Sequence, residues 1–566
     1  MKKDSIVAVV AILLLVSTFL CACSPSRVQN ENSSSTDTES YETDPASDIV
    51  TLVKNGEAQF YITYVESVYK KSAEYAAQEL KKKSGATFEI FDIENKPSTL
   101  RAIYIGSDYK DIFPDSSDQM TYNGYGTFYH EGDIYICGAR DETVDQAVRK
   151  FFASLSKDKC VLENDDGEQI FVVPEDSFQI FTPVYSVKNA TLLSVSAWKY
   201  SIVYSDSASY TTRVMVQSLY ETVGAKTGCM LKLVTDAAEP ADYEIVIGKT
   251  NRKDMPQLDS DKYTIVSDDT KVYVNFGSFP AAEAALSRLN DLWGSNEINL
   301  SETAENSLHV AKNEECIRIM TSNVLFSNSD NTGLGWLERS QMLSDIYLDF
   351  LPDFIGLQEA GGDIGDAISE RLSQKYTRIS QMPRGYTPIL YRHDIWSIAK
   401  DSDGSELKKY EVFKGDGCWA YEWVIFEHLR TGERIIVMNL HFQPSQHSAG
   451  KHKYRAESMD LVNAELKRLD LLYPDMPIAV TGDFNTTASY VSQTGEGWTD
   501  IVGDTPFDCA AKMTEDNDDP KLNKIDHVVV DPSRVKVERH VIISYASMQK
   551  SSDHKPVYVD LTLNKK

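Results

Sequence analysis

From about Glu315 to the end of the chain, apolar runs of strand length follow one another: CIRIMTSNV, DFIGLQEA, TPILYRHDIWSI, WAYEWVIFEH, ERIIVMNLHF, MPIAVTGDFN, NKIDHVVV and KPVYVDLTL. Helical periodicity fills some of the gaps, near Leu337 to Asp349 and Tyr454 to Leu472. Strands that alternate with helices predict an α/β fold, and short hairpins mixed with crossovers predict two sheets packed face to face. Most of these runs close on a group able to do chemistry. Asn323, Glu359, His441, Asp483 with Asn485, and Asp553 with His554 stand at or just beyond strand ends, so separate strands would deliver amides, carboxylates and imidazoles to one rim. That set can hold a hard divalent cation through oxygen, orient a water and protonate a leaving oxygen.

Ahead of this part, the same order of elements occurs twice. A helix from Val68 to Ser84, apolar at Ala73, Ala76, Ala77 and Leu80 and stopped by Gly85, precedes ATFEIFDI, RAIYIGSD and GDIYICGARD. A second helix then carries Val144, Ala147, Val148, Phe151 and Phe152. The second copy has a helix from Ala208 to Val223 ending at Gly224, then MLKLVTD, YEIVIGKT, TKVYVNFGS and a helix with Ala285, Leu286, Leu289 and Trp293. Gly106 and Gly248 stand 142 residues apart, Gly138 and Gly277 139 apart. Two copies make a duplication, not a solenoid, and predict two small α/β domains at 49–183 and 184–312. Their cadence, AxELxxxxG, IxIG, IxIxG, resembles the small α/β domain that precedes catalytic modules in exported glycoside hydrolases. A spacer, or a module contacting carbohydrate or the cell surface, is the expectation.

Length and charge narrow the picture. The 566 residues exceed one hydrophobic core. A net charge of −28 disfavours any broad, sequence-independent grip on nucleic acid, which depends on Lys and Arg neutralising phosphates. Lys2 and Lys3 followed by the apolar run Ile6 to Leu20 read as an export signal, too short for a membrane span. Leu20-Cys21-Ala22-Cys23 resembles the lipobox of bacterial lipoproteins, with Cys23 as the lipid acceptor; an ordinary signal peptide is the alternative. Residues 24–48 hold almost nothing to bury and predict a disordered tether. Beyond the signal, Cys137, Cys160, Cys229, Cys316, Cys418 and Cys509 form no disulfide framework, although a Cys137 to Cys160 bridge stays open.

Taken in order, TSNV, LQEA, NLHF, GDFN, KIDH and SDH resemble the endonuclease/exonuclease/phosphatase superfamily, the deoxyribonuclease I-like fold, over roughly residues 315–566. The resemblance implies a four-layer α/β sandwich and assigns roles. Glu359 would be the principal metal ligand, with Asn323 beside it and Asp553 as a further ligand, for Mg²⁺ or else Mn²⁺ or Ca²⁺. Asp483 would orient and deprotonate water, and Asn485 would donate to the phosphoryl oxygen. His554, held by Asp526, would meet the transition state, and His441 would serve the leaving oxygen. His447 and His452 read as surface residues, His527 as structural, and Asp516, Asp518 and Asp519 as a solvated loop. One departure matters. Nuclease members carry an acid or amide before the strand matching PILYR, whereas Arg384-Gly385-Tyr386-Thr387-Pro388 offers no carboxylate to orient His441; Arg384 and Tyr386 would face substrate instead.

The expected protein is therefore an exported, lipid-anchored, metal-dependent phosphoesterase on the outer face of the bacterial cytoplasmic membrane, acting on a phosphate ester. A non-catalytic surface binder with the same fold, or a nuclease on extracellular nucleic acid, is the alternative. A binder needs a broken ligand set, and here every position is filled. A carbohydrate-active enzyme needs a carboxylate pair across a sugar cleft, which the repeats do not supply.

Overall fold

The two copies of the repeated unit build sheets of one topology. In this computed structural model the described residues are 49–98, 100–107, 121–163, 167–304, 308–329, 332–382, 385–413, 418–443, 451–485 and 525–564. The signal segment with Cys23, the 24–48 tether, Arg384, His447, Cys509 and the 516–519 acids lie outside them, as does the His452 side chain. Contacts tie the described residues from Thr51 onward into one unit. The first sheet runs Ile180–Phe181, Tyr125–His130, Asp133–Gly138, Arg101–Gly106, Phe60–Tyr64, Ile90–Asp92. The second runs Asn299–Thr303, Lys262–Ser267, Lys271–Phe276, Glu244–Ile247, Ser201–Tyr204, Lys232–Thr235. In this order the second matches the first strand for strand. In both, the two pairs at one edge are antiparallel and the other three are parallel.

One helix end differs from its expectation. Tyr210–Thr227 runs through Gly224 and stops at Gly228, whose φ of +78° is the left-handed cap. Gly224 is needed for another reason: a Cβ there would stand 2.2 Å from the Tyr122 ring. Cys137 and Cys160 are buried free thiols, so the bridge left open by the sequence is not formed.

The last part is two stacked sheets. One is ordered Tyr376–Ile379, Ile389–Arg392, Phe354–Gln358, Ile317–Asn323, Val557–Leu563, Val535–Ile542; the other Trp396–Ile398, Ala420–His428, Arg434–His441, Ile478–Asp483, Asp526–Val530, with Lys408–Val412 added on the Ala420 strand. Ile319, Phe354 and Ile389 meet Val424, Phe426, Val437 and Ala479 between them. Helices Trp336–Phe350 and Asp363–Leu372 cover the outer face of the first sheet, and Met459, Val462, Leu466 and Leu469 of Lys451–Leu472 cover the second. The result is the expected four-layer α/β sandwich.

Strand direction explains why the rim collects chemistry. Ile317–Asn323 and Phe354–Gln358 are parallel and joined by a helical crossover, as are Arg434–His441 and Ile478–Asp483. Their C-terminal ends therefore emerge together. Asp526–Val530 and Val557–Leu563 are antiparallel to these strands, so their beginnings arrive at the same rim.

Glu422 is a buried acid between the sheets, opposite Asn439 in register. Burial pushes its carboxyl up to about 8, against the pull of the Gln381 N–H (2.8 Å) and the Arg378 charge. A folded-state value above the unfolded one means stability present below pH 4.5 and lost as pH rises through about 8. Glu422→Gln keeps an acceptor for Gln381 and removes the titration. The variant should flatten the decline of melting temperature across that window, a slope of at most about 1.4 kcal/mol per pH unit, read by thermal melts at stepped pH.

Candidate active site

Asn323 and Glu359 end neighbouring parallel strands. In a regular strand Gln358 and Glu359 would face opposite ways; Glu359 instead adopts φ +60°, and its carboxylate meets Asn323. Asn323 Nδ2 donates to Glu359 Oε1 at 3.1 Å and Phe326 N–H to Glu359 Oε2 at 3.1 Å. Leu325 (φ +59°) and Asn485 (φ +48°) are also left-handed. Three non-glycine residues in that region at one rim mark stored backbone strain. Arg339, fully buried, holds the loop below by donating to the carbonyls of Val324, Leu325 and Phe326 at 2.7, 2.9 and 2.7 Å.

Asp483 is the hub. Its Oδ1 accepts from Asn485 N–H at 2.8 Å; its Oδ2 lies 3.1 Å from Asn323 Nδ2, 3.4 Å from His441 Nε2 and 3.9 Å from His554 Nε2. Burial would raise its carboxyl, but the His441 hydrogen bond and the charges of His441 and His554 hold it below the ordinary range. Asp483 is therefore an anion with every donor around it fixed.

The two histidines are held differently. His554 Nδ1 sits 2.7 Å from Asp526 Oδ2, and its backbone N–H donates to Ser552 Oγ at 3.1 Å. Burial works against its charged form, yet the Asp526 charge and hydrogen bond, with Asp483 and Asp553 behind them, carry it up to about 10. Burial also lifts Asp526, opposed by the His554 charge, so this pair shares and retains a proton. His441 has the Trp419 ring edge-on at 4.4 Å, while its buried Nδ1 has no partner among the described residues. Among the described residues before PILYR, no carboxylate reaches that nitrogen. Tyr386 packs edge-on against Phe326 at 5.5 Å.

Asn323, Glu359, His441, Asp483, Asn485, Asp526 and His554 come together. Asn485 Nδ2 is occupied by Phe442 O at 2.6 Å and faces His441 Nε2 at 3.2 Å. Asp553 is exposed beside them. Ligand atoms of Asp483, Asp526 and His554 lie within 4.8 Å of one another, and Asp526 Oδ1 is buried with no partner among the described residues. The oxygen-rich donor set of Glu359, Asp553 and Asn323 fits a hard cation. His527 is buried with Phe484 edge-on at 5.1 Å, a packing role.

Sequence reasoning missed Ser552, Trp419 and Arg339, and a polar layer under the rim. Gln358 Nε2 donates to Asn439 Oδ1 at 2.7 Å and to Thr321 Oγ1 at 3.1 Å; Thr481 Oγ1 donates to Asn439 Oδ1 at 3.1 Å. The available signal was a polar residue inside each apolar run, two before Asn323, His441 and Asp483 and one before Glu359.

Two packed sheets whose parallel strand ends gather carboxylates, amides and a charged acid–histidine pair define a phosphate ester hydrolase type of sandwich. Residues 320–554 match the model of the endonuclease/exonuclease/phosphatase family. Among solved structures, an endonuclease/exonuclease/phosphatase family protein from Bacteroides thetaiotaomicron is 21% identical over 44% of this chain and 97% of its own, with a TM-score of 0.32. A mannosyl-6-phosphatase of the same organism is 21% identical over 44% and 99%, with a TM-score of 0.32. The human Nocturnin catalytic domain with bound sulfate is 15% identical over 45% and 97%, with a TM-score of 0.36. No curated protein matches the chain.

Gly356 bears on this layer directly: a Cβ there would stand 2.1 Å from Thr481 Oγ1 and 2.4 Å from Asn439 Oδ1. Gly356→Ala should cost about 1–3 kcal/mol by overpacking, measured by urea unfolding, and should lower turnover in the fraction that stays folded.

Proposed function

We propose that residues 315–566 hydrolyse phosphate esters by attack of water in line with the leaving oxygen. The observation that carries this reading is the buried Asp483 anion, bonded through Asn323 to Glu359 and facing the charged His554–Asp526 pair. A divalent cation, Mg²⁺ or else Mn²⁺ or Ca²⁺, held by Glu359 with Asn323 and Asp553, would neutralise phosphate charge and polarise the ester. The chain's own groups do the rest. Asp483, kept ionised, fixes the water and takes its proton as oxygen attacks phosphorus. His554, kept protonated, offers positive charge to the phosphoryl oxygens as their negative charge grows. His441 supplies a proton to the departing oxygen, and because the attacking oxygen is that of water no covalent enzyme intermediate forms.

Lipid anchoring at Cys23, action at the outer face of the cytoplasmic membrane, and a carbohydrate or cell-surface contact by the repeated units belong to the same reading. The basic start, apolar run and lipobox-like cysteine support the anchor. The charge of −28 favours membrane-near or small soluble esters over nucleic acid. A panel of DNA, RNA, phospholipid, phosphoinositide and sugar phosphates with Mg²⁺ separates these substrates.

Glu359→Ala and His554→Ala should each lower kcat/KM on bis(nitrophenyl) phosphate by about 10² to 10⁴ fold, with melting temperatures close to wild type. Chelator should abolish wild-type turnover and added Mg²⁺ restore it. Wild-type rates in both variants at matched melts would overturn the assignment.

A further inference from the structure

We infer that the second repeated unit braces the catalytic rim, and that Glu283 is a positioning residue acting through segment 545–554 on His554. Only the rate arm of this inference rests on the phosphoesterase reading. Glu283 sits on helix Phe279–Leu289 of the second unit, and its Oε1 accepts from the Ser547 N–H at 2.9 Å. Ser547 opens the one-turn helix Ser547–Lys550. The first amides of a helical turn have no partner within it, so the carboxylate satisfies one from a chain position 264 residues away.

From that turn a continuous set of contacts leads to the catalytic pair. Met548 is buried in the outer core of the first catalytic sheet, and its carbonyl accepts from both Ser551 N–H (2.8 Å) and Ser551 Oγ (2.7 Å). Ser552 Oγ donates to the carbonyl of Asn323 at 2.8 Å and accepts the His554 N–H at 3.1 Å. His554 then reaches Asp526 at 2.7 Å. Fixing Ser547 therefore fixes the beginning of the stretch whose end aims the imidazole.

The joint is reciprocal, which a passive spacer does not need. Helix Trp336–Phe350 of the catalytic part sends Asp345 and Asp349 into the second unit. Thr211 Oγ1 donates to Asp345 Oδ2 at 2.6 Å in the first turn of Tyr210–Thr227, and Phe279 N–H donates to Asp349 Oδ2 at 2.7 Å. The same helix carries Arg339, which holds the loop after Asn323. One helix is thus fastened to the second unit by its last turns and to the site by its first.

The test uses the full chain. Glu283→Ala should speed amide hydrogen exchange in the peptide spanning 543–556 by about tenfold, the order of a lost cap, with exchange in 454–472 unchanged. It should lower kcat on bis(nitrophenyl) phosphate with Mg²⁺ by about tenfold, leaving KM near wild type. Glu283→Gln, which keeps an acceptor oxygen, should restore both. Unchanged exchange at 543–556, or faster exchange throughout 184–312, would overturn the brace. Local loosening with an unchanged kcat would overturn the positioning role. An inactive wild type would sink the phosphoesterase reading alone, because the exchange arm stands without activity.

Discussion

The side chain of Asn439 is the interaction on which the site depends. It lies on the second catalytic sheet, yet its Nδ2 donates to the carbonyls of Leu357, Thr387 and Pro388 on the first at 2.7, 3.0 and 3.2 Å. Its Oδ1 accepts from Gln358 and Thr481. Much of the remaining inter-sheet space is hydrocarbon, which holds two layers together without fixing their sliding. A fully satisfied polar cluster there allows one alignment, since any slip leaves buried donors and acceptors unpaired at about 1–3 kcal/mol each. The rim residues stand one or two positions further along the same strands. The distance from Asp483 to Asn323 is therefore set from beneath, by groups that never touch substrate.

Much of this was legible in the sequence because the signal was local. A strand-length apolar run followed by Glu, His, Asp or Asn reveals the strand, its end and the group delivered there, and six such runs in one order identify the sandwich. In each copy of the duplicated unit the helices and three of the six sheet strands were legible for the same reason, while Phe60–Tyr64, Tyr125–His130 and Ile180–Phe181, and their counterparts Ser201–Tyr204, Lys262–Ser267 and Asn299–Thr303, were not. Edge strands were harder: Lys408–Val412 is short and alternately exposed, and Val535–Ile542 alternates polar with apolar between stronger runs. Gly224 reads as a helix stop only to an eye that cannot see Tyr122 pressed against it. Glu359's left-handed backbone leaves no trace in residue type, since Glu has no preference for that region. Contacts such as Glu283 with Ser547 or Thr211 with Asp345 join positions 264 and 134 residues apart and belong to tertiary structure alone.

Charge in the site runs against the charge of the whole chain. With a net −28, every acid at the rim adds to an unfavourable field. The fold answers with cations placed under or beside the acids: Arg339 beneath the loop that binds Glu359, and His554 between Asp526 and Asp483. Arg339 has its charge supported by Asp553 and Glu359, against the burial that draws it down. Beside Asp483 it is the His441 hydrogen bond and the charges of His441 and His554 that keep the carboxylate ionised against burial. An acid kept ionised and a histidine kept protonated a few ångströms apart is the asymmetry that proton transfer chemistry requires.

Backbone strain at the rim is the remaining constraint. Leu325, Glu359 and Asn485 each hold a left-handed backbone that costs on the order of 1–3 kcal/mol and persists only where the surroundings over-determine it. The inter-sheet cluster supplies that determination from below, and Arg339 with the Ser552 hydroxyl supplies it from the flank. Both flank elements, helix Trp336–Phe350 and segment 545–554, are in turn bonded to the second repeated unit. The duplicated domain next to the sandwich is thereby part of what keeps the strained rim in one conformation, and the extent of the functional structure runs well upstream of the family's own boundaries at 320–554.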